Sequence, residues 1–228
     1  MARAAQITAR AWGSEGEART RGRLPVLLVT RGNDPSAALV AEALAGRGAT
    51  PVRLDTDLFP TGVRFSLHQE GLTTGALLLT RDGPVDLMEV TAVWYRRFAP
   101  GHALPADTPM RPAAVRESRA TLAGLIEVLP VFHLDAVADV RRAGVKPLQL
   151  RLAAELGLPV PRTLVTNDPE AVRQFASECP GGIVAKTLSS FVVHDEEGRE
   201  LAVYTSRVRE EHLDDLDGLQ LSPMQFQE

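Results

Sequence analysis

A strand–helix–strand succession within residues 24–54 is the feature that most constrains the fold. Residues 25–30 form a short, continuous apolar run, which is typical of a parallel strand covered on both faces. Asp34 and Pro35 then provide a helix cap followed by proline at the first helical position. A second apolar segment at residues 51–54 completes a βαβ unit, whose crossover is expected to be right-handed. The pattern predicts an α/β domain built on a parallel sheet.

The chain continues this pattern up to residue 133. Further strands are expected at residues 63–67, 76–80 and 92–96, and a long helix at residues 112–128. The first of these strands alternates apolar and polar residues, as an edge strand does. Residues 1–23 combine arginine, alanine, glycine and serine without apolar periodicity. The sequence therefore predicts a flexible tail at residues 1–23, followed by a domain at residues 24–133.

A second domain is predicted at residues 134–228. It opens with a helix that has Pro147 in its first turn and that Gly157 ends in a left-handed conformation. The inner face of this helix is expected to hold Leu148, Leu152, Ala153 and Leu156. The later elements are a strand at residues 162–166, a helix at 169–178, a strand at 183–188, a hairpin at 191–205, a helix at 209–219 and a final strand at 223–227.

Composition excludes several classes of protein. With 44% apolar and 24% charged residues, the 228-residue chain can bury a sizeable core, which excludes a disordered protein. The single cysteine cannot close an internal disulfide, and the five histidines form no zinc-ligand motif, so no metal site is predicted from side-chain clusters. The net charge of −4 argues against a nucleic-acid partner. No segment has the apolar length of a membrane span or a signal peptide, so no membrane partner is expected and the expected location is cytoplasmic.

Only two of the 25 basic residues are lysines, Lys146 and Lys186. Lysine is a compact, mobile point charge and arginine a rigid fork, so a lysine in an arginine-rich chain can mark a site that needs an ammonium group. Lys146 precedes a predicted helix, and Lys186 lies within a predicted strand. Two ammonium groups that converge on one anion would neutralise phosphate charge. The alternative is a pair of solvated surface lysines.

The common nucleotide-binding and nucleophile motifs are missing. The sequence has no GxxxxGK[ST] loop, no GxGxxG after a strand and no GxSxG elbow. Arg96 and Arg97 follow Trp94 at the end of a predicted strand, where α/β sheets bind ligands. Two interpretations stay open: a ligand site at this strand end, or a core tryptophan followed by two solvated arginines.

The order and spacing of several segments resemble ATP-grasp ligases, and within them the microviridin-type maturases of ribosomal peptides, also called graspetide ligases. The resemblance extends from residue 24 to the end, and it rests on the joint order of the segments rather than on one motif. The segments are VLLVT at 26–30 followed by Asp34, RLDTDLFP at 53–60, VWYRR at 93–97, KPLQLRLAAELG at 146–157, PRTLVTNDP at 161–169, VAK at 184–186, YTS at 204–206 and QFQE at 225–228.

The resemblance implies a pre-ATP-grasp domain with a parallel sheet, followed by the first α/β subdomain of an ATP-grasp fold, with the C-terminal subdomain absent. It implies that Lys146 and Lys186 bind the phosphates of ATP. It also implies that a hinge strand binds adenine through Phe226, Gln227 and Glu228. ATP and Mg²⁺ are the implied cofactors, with the magnesium ligands expected in the missing part, so this chain alone is not expected to turn over ATP at an enzyme-like rate.

The implied reaction is an ATP-dependent ligation on a ribosomal precursor peptide. A glutamate or aspartate carboxylate of the precursor becomes an acyl phosphate, which a Thr or Ser hydroxyl or a Lys amine attacks to form a macrolactone or macrolactam. The partner is the whole precursor, leader and core, and a homodimer is one expected assembly. Arg96 and Arg97 are expected on the substrate side. The leader is expected to contact Asp195, Glu196, Glu197, Leu213 and Leu216.

Two other functions fit the same residues. One is a non-catalytic module that recognises a leader peptide. The other is an ATP-grasp ligase that adds amino acids to a protein or builds a small peptide, since such enzymes share the two lysines.

Overall fold

The chain consists of two compact units, each with its own core. The computed structural model describes residues 24–189, 192–194 and 200–228, so the predicted tail at residues 1–23 lies outside the described residues. The contacts divide the chain into Met1–Val137 and Ala138–Glu228.

The described part of the first unit contains a parallel and an antiparallel sheet. Its strands are β1 (Leu24–Thr30), β2 (Ala49–Asp55), β3 (Arg64–Glu70), β4 (Thr73–Thr80), β5 (Gly83–Asp86), β6 (Ala92–Tyr95) and β7 (Phe132–Leu134), and its helices are α1 (Pro35–Ala45) and α2 (Arg111–Glu127). The parallel sheet has the order β2-β1-β6-β7, and β3, β4 and β5 form the antiparallel sheet. The α/β class and the parallel sheet predicted from the sequence are confirmed.

Burial on both faces explains why the sequence of the first strand is a continuous apolar run. Leu27, Leu28 and Val29 in β1 are all fully buried, because β1 lies inside the sheet between β2 and β6. From α2, Leu122 and Ile126 are fully buried in the same core cluster as Leu27 and Val29. The strand predicted at residues 63–67 was expected at a sheet edge, and this is confirmed, since β3 pairs only with β4 in the described sheet.

The second unit is organised around an antiparallel sheet. Its described elements are α3 (Val137–Ala143), which begins at the last residue of the first unit, α4 (Lys146–Glu155), β8 (Thr163–Thr166), α5 (Pro169–Ser177), β9 (Val184–Lys186), β10 (Val192–His194), β11 (Glu200–Ala202), β12 (Ser206–Arg207), α6 (Glu210–Asp214) and β13 (Met224–Gln227). The sheet order is β12-β9-β13-β8, and β10 pairs with β11 as a separate hairpin. The core consists of Val172, Cys179, Ile183, Leu219 and Phe226.

The helix predicted at residues 209–219 is interrupted. Helix α6 ends at Asp214, Asp215 is extended at φ −123° and ψ 92°, and a 3₁₀ helix follows at Asp217–Gln220. Aspartate has a low helix propensity because its short side chain competes for backbone hydrogen bonds, and three of the four residues at positions 214–217 are aspartates. The leucine spacing alone therefore overestimated the length of this helix.

The inner face predicted for helix α4 is not buried. None of its residues is buried, and Leu152 and Leu156 are 42% and 78% exposed. The core of the second unit is formed instead by α5, the sheet and the 3₁₀ helix, so α4 contributes no core residue. The predicted end of the helix is confirmed, since Gly157 has a φ of +74°, which favours glycine.

Candidate functional site

Two neighbouring strands of the second unit place their side chains on opposite faces of the sheet. In the antiparallel pair β9 and β13, Lys186 lies opposite Gln225 and Ala185 lies opposite Phe226. Because successive side chains of a strand alternate, Lys186 and Gln225 share one face and Ala185 and Phe226 share the other. Phe226 is part of the apolar core. Lys186 and Gln225 therefore lie on the face that is directed away from this core.

Lys186 is the only lysine in these strands, and no described acidic group compensates its charge. The side chain is half-buried, and no ion pair or hydrogen bond joins its ammonium group to the residues that the structure describes. A half-buried cation without a counter-ion attracts anions, because the partly desolvated charge has lost water without gaining an opposite charge. This position fits the phosphate-binding role expected from the sequence.

Gln225 is a second polar residue on this face, and the sequence analysis missed it. It is 1% exposed, yet its Oε1 has no hydrogen-bond partner. Gln227, two residues on, is satisfied, since its Nε2 donates to Thr163 Oγ1 over 2.9 Å. The available signal was a glutamine between Met224 and Phe226, in a strand that alternates apolar residues with glutamine. The register with Lys186 became visible only in the structure.

The predicted hinge residues occupy different environments. The Phe226 side chain is 2% exposed and packs in the core, so this residue presents only its backbone towards the Lys186 face. Glu228 donates its backbone N–H to the Arg162 carbonyl over 3.2 Å, and its carboxylate lies 4.0 Å from Arg162 Nη1. The strand β13 is thus fixed on both sides, by β8 and β9.

Lys146 is the first residue of helix α4. Its side chain is half-buried and has no ion pair within the described part of the chain. The free N–H groups and the positive end of the helix dipole surround this position, and both favour anions. That Lys146 and Lys186 point into one cleft stays a prediction.

A buried carboxylate organises the carboxyl end of the parallel sheet in the first unit. Thr30 Oγ1 and Arg96 Nε each donate to Asp34 Oδ2 over 2.7 Å, and Arg97 Nε lies 3.7 Å from the same oxygen. Asp34 also caps helix α1 by accepting from the Ser36 N–H over 3.2 Å, and Arg96 Nη2 donates to Ser36 Oγ over 3.0 Å. The structure thus brings the two predicted arginines together around one aspartate.

The charge of this cluster shifts the pKa of Asp34. Burial acts to raise the pKa, but the hydrogen bonds from Thr30 and Arg96, with the charges of Arg96 and Arg97, outweigh it and lower the pKa to about 2. Asp34 is therefore ionised at neutral pH. Two guanidinium groups face one carboxylate, which leaves one positive charge in excess.

The two arginines are not equivalent. Arg96 is held by Asp34 and Ser36 and lies 5.5 Å over the Trp94 ring, so its donors are largely occupied. Arg97 has a 45% exposed side chain and only the longer contact with Asp34. Arg31, which follows Thr30 at the end of β1, has a buried Nε without a hydrogen-bond partner among the described residues. Arg97 is therefore the more exposed and the less firmly held of the two arginines.

The residues expected to bind a leader peptide are only partly described. Asp195, Glu196 and Glu197 lie outside the described residues. Leu213 and Leu216 are half-buried and pack against the core of the second unit. Leu216 also lines a cavity of about 460 Å³ on the core side of the sheet, together with His212 and Phe226 among others. Both leucines thus contribute to the core, and Leu216 also contributes to a cavity wall.

The described residues do not contain a ready-made cluster of metal ligands. No group of three or more His, Cys, Asp or Glu side chains converges among them, so no step can be assigned to a metal on this part of the chain. Within the same residues, no helix combines the length and the apolar character that a membrane crossing requires.

Comparison with known proteins places these features in a family. Residues 25–141 match the family described as the MvdD pre-ATP grasp domain. The macrocyclase MdnC from Microcystis aeruginosa MRC, solved bound with its precursor peptide MdnA, is 44% identical with a TM-score of 0.83, and the match covers 90% of this chain and 67% of that one. No curated protein matches the chain at a significant level.

Two further structures are similar over a comparable length. A RiPP-associated ATP-grasp ligase from Chryseobacterium gregarium, in complex with ADP and a leader and core peptide, is 30% identical with a TM-score of 0.75, and the match covers 90% of this chain and 62% of that one. The ATP-grasp ligase PsnB, complexed with minimal precursor, Mg and ADP, is 28% identical with a TM-score of 0.63 over 89% of this chain and 64% of that one. The chain thus spans about two thirds of the length of these relatives. With a matching pre-ATP-grasp domain and high identity across both units, the chain belongs to the microviridin-type (graspetide) ATP-grasp ligases of ribosomal peptide maturation.

Proposed function

We propose that this protein is an ATP-dependent ligase that cross-links a ribosomal precursor peptide. The observation that carries the proposal is the uncompensated Lys186, half-buried beside Gln225 on the sheet face directed away from the core. Membership in a family with solved complexes of nucleotide and precursor peptide supports the same assignment. The substrates are ATP and a peptide with acidic side chains.

The reaction proceeds in two steps, phosphorylation of a carboxylate and attack on the resulting acyl phosphate. A Glu or Asp carboxylate oxygen of the precursor attacks the γ-phosphorus of ATP, and the bond to the bridging oxygen breaks to release ADP. A Thr or Ser hydroxyl, or a Lys amine, then attacks the acyl carbon, loses its proton and expels phosphate. The product is a macrolactone or a macrolactam.

The residues of this chain act by positioning and by neutralising charge, as phosphoryl transfer chiefly requires. Lys146 and Lys186 hold the phosphates, and the hinge strand with Phe226, Gln227 and Glu228 holds the adenine base. Mg²⁺ would neutralise charge between the phosphates, with ligands outside the described residues. In the first unit, Arg96 and Arg97 bind the precursor peptide, and both arginines are held at Asp34.

Because this chain alone is not expected to turn over ATP at an enzyme-like rate, the test joins it to the C-terminal part of a longer relative such as MdnC and follows cross-linking of a precursor peptide with ATP and Mg²⁺ by mass spectrometry. Each cross-link removes the mass of one water, and mild alkali opens an ester but leaves an amide. Lys186→Ala is expected to slow cross-linking about a hundredfold, because it removes one charge-stabilising donor from the transferred phosphate. Arg151→Ala is the matched control: it removes an exposed positive charge from α4 that pairs only with Glu155.

The outcome also separates the proposed enzyme from the alternatives. A chain that binds a leader peptide tightly but neither binds ADP nor cross-links the precursor would be a recognition module. A chain that joins free amino acids to a peptide in place of closing rings would be a ligase of another substrate class. Equal rates for Lys186→Ala and the unsubstituted protein would contradict the phosphate site.

A further inference from the structure

One face of the parallel sheet in the first unit is only half covered. Leu28, Trp94 and Leu134 are in register on β1, β6 and β7, and they share the face opposite to the core of this unit. Helix α1 packs on this face against β1 and β2. The half formed by β6 and β7 stays open, and Phe132 and Leu134 of β7 are 67% and 51% exposed.

An apolar groove lies between α1 and the open half of the sheet. Its volume is about 340 Å³, and every residue that lines it is apolar. Val40 and Leu44 line it from α1, and Trp94, Phe132 and Leu134 line it from the sheet. The strands of a parallel sheet are apolar on both faces and are normally covered on both. A further apolar group in the groove would therefore complete the packing of this face.

Helix α1 adds a projecting apolar side chain beside the groove. Only one residue of this helix, Glu42, is charged, and only Ala37 is buried, whereas a helix that is apolar on all sides is normally buried. The Ser36 hydroxyl accepts a hydrogen bond from Arg96, which follows β6, so this side of α1 is directed towards the groove. Leu39 lies one turn after Ser36 on the same side and is 68% exposed.

We propose that α1 and the open half of the sheet form the interface of a two-fold symmetric dimer, in which Leu39 of each copy enters the groove of the other. A two-fold interface consists of the same patch on both copies, so the patch must carry a projection and a matching depression. Leu39 and the adjacent groove provide both. The inference does not depend on the nucleotide site or on the cross-linking reaction.

Charge and area favour a second copy as the occupant. The chain has a net charge of −4, so two copies repel each other over much of their surfaces, and α1 with the groove contributes only the charge of Glu42. Leu39, Phe132 and Leu134 are each more than half exposed, which gives roughly 300 Å² of apolar surface on each copy. A standard interface buries about 800 Å² on each side, with an apolar centre inside a polar rim, so this patch is large enough to form that centre.

The test is the mass of the full chain in solution, measured by light scattering and by sedimentation over a range of protein concentrations. The unsubstituted protein is expected to be a dimer that dissociates on dilution. Leu39→Asp is expected to raise the dissociation constant of the dimer at least about tenfold, because association would then bury two carboxylates without partners. Its melting temperature under dilute, monomeric conditions is expected to stay close to that of the unsubstituted protein, since Leu39 is an exposed residue.

Leu72→Asp is the matched control. It makes the same chemical change in the same unit, at a fully exposed leucine in the turn between β3 and β4, and is expected to leave the dissociation constant unchanged.

Tryptophan fluorescence locates the interface. The chain has two tryptophans, so Trp12→Phe leaves Trp94 in the groove as the single reporter. Its emission is expected to shift to longer wavelength as the dimer dissociates on dilution, because water enters the groove. In the double variant with Leu39→Asp, the emission is expected at the longer wavelength already at concentrations where the protein without that substitution is a dimer.

Two outcomes would contradict the inference. A dimer that Leu39→Asp leaves intact, with Trp94 emission that does not change on dilution, would have its interface on another face. A chain that is monomeric at every concentration would leave the groove to a different partner. Neither outcome bears on the proposed ligase activity, which Lys186→Ala tests separately.

Discussion

Asp34 shows how one residue links local structure to a site at the end of a sheet. As a helix cap, it accepts a hydrogen bond from the Ser36 N–H. As a counter-ion, it pairs with Arg96, which follows strand β6 and lies 62 residues away in sequence. The cap is local and was expected from the order Asp34, Pro35. The ion pair depends on β1 and β6 being neighbours, which brings residues that follow both strands to one sheet edge.

The pH dependence of folding is expected to report on Asp34. Its folded pKa is about 2, below the ordinary value of 3.8, so the carboxylate contributes stability that is present above pH 3.8 and is lost as the pH falls towards 2. Asp34→Asn is expected to flatten the stability curve over this interval. At neutral pH, it is expected to lower the free energy of unfolding by about 2–4 kcal/mol, less than a fully buried pair, because the Arg96 side chain is 32% exposed.

The measurement is urea denaturation at several pH values between 2 and 7. Asp82→Asn, on an exposed turn of the first unit, serves as the control and is expected to follow the unsubstituted protein. A curve for Asp34→Asn that falls as steeply as the unsubstituted one below pH 4 would mean that other carboxylates dominate the acid sensitivity.

At the scale of elements, helix α6 and the hairpin of β10 and β11 are the place where the leader peptide is expected to bind. Between residues 195 and 217 the sequence holds nine acidic residues and three arginines. We expect this surface to favour a leader with basic and aromatic residues, since complementary charge speeds encounter and sets the register of binding. Leu213 and Leu216 cannot test the site cleanly, because both pack against the core and a serine there would also destabilise the unit.

The acidic segment at residues 195–197 provides the cleaner test. Replacing Asp195, Glu196 and Glu197 together by alanine is expected to weaken binding of a basic leader peptide several-fold and to reduce the dependence of binding on salt. The readout is fluorescence anisotropy of a labelled leader. The control has the same charge change in the first unit, with alanine at Glu70, Asp82 and Glu89, all of which are exposed. An unchanged affinity of the acidic-segment variant would place the leader elsewhere.

At the scale of the whole molecule, both described cores begin after the predicted tail. The first core residue of the chain in the described part is Leu27, in β1. Residues 1–23 contain few large apolar side chains, so little apolar burial is expected from them.

Deleting residues 1–23 is therefore expected to shift the melting temperature by less than about 2 °C. Differential scanning calorimetry of the shortened chain measures this shift. A longer deletion through residue 30 serves as the comparison and is expected to prevent folding, because it removes the fully buried Leu27, Leu28 and Val29. A fall of many degrees for the shorter deletion would show that the tail takes part in the fold.

The sequence by itself determined the local structure of the chain. The apolar run of β1, the cap at Asp34, the proline of α4 and the glycine that ends it all act within a few residues, so their effects can be predicted without knowing what lies across the fold. The spacing of apolar residues was a less reliable guide to helix length and to the burial of a helix face. The leucines of α4 suggested a buried helical face, but none of the residues of α4 is buried. The leucines of residues 209–219 do pack against the core, but the aspartates interrupt the helix that their spacing predicted.

Only the tertiary structure decided which polar groups meet. The pairing of Gln225 with Lys186, the core position of Phe226 and the sharing of Asp34 between Arg96 and Arg97 follow from strand register and sheet order. These contacts join residues that are tens of positions apart, and their energies depend on burial that no local pattern specifies. The sequence does not show whether the amide of a strand glutamine is solvated, hydrogen-bonded or without a partner. The strand register showed that Gln225 lies on the same sheet face as Lys186.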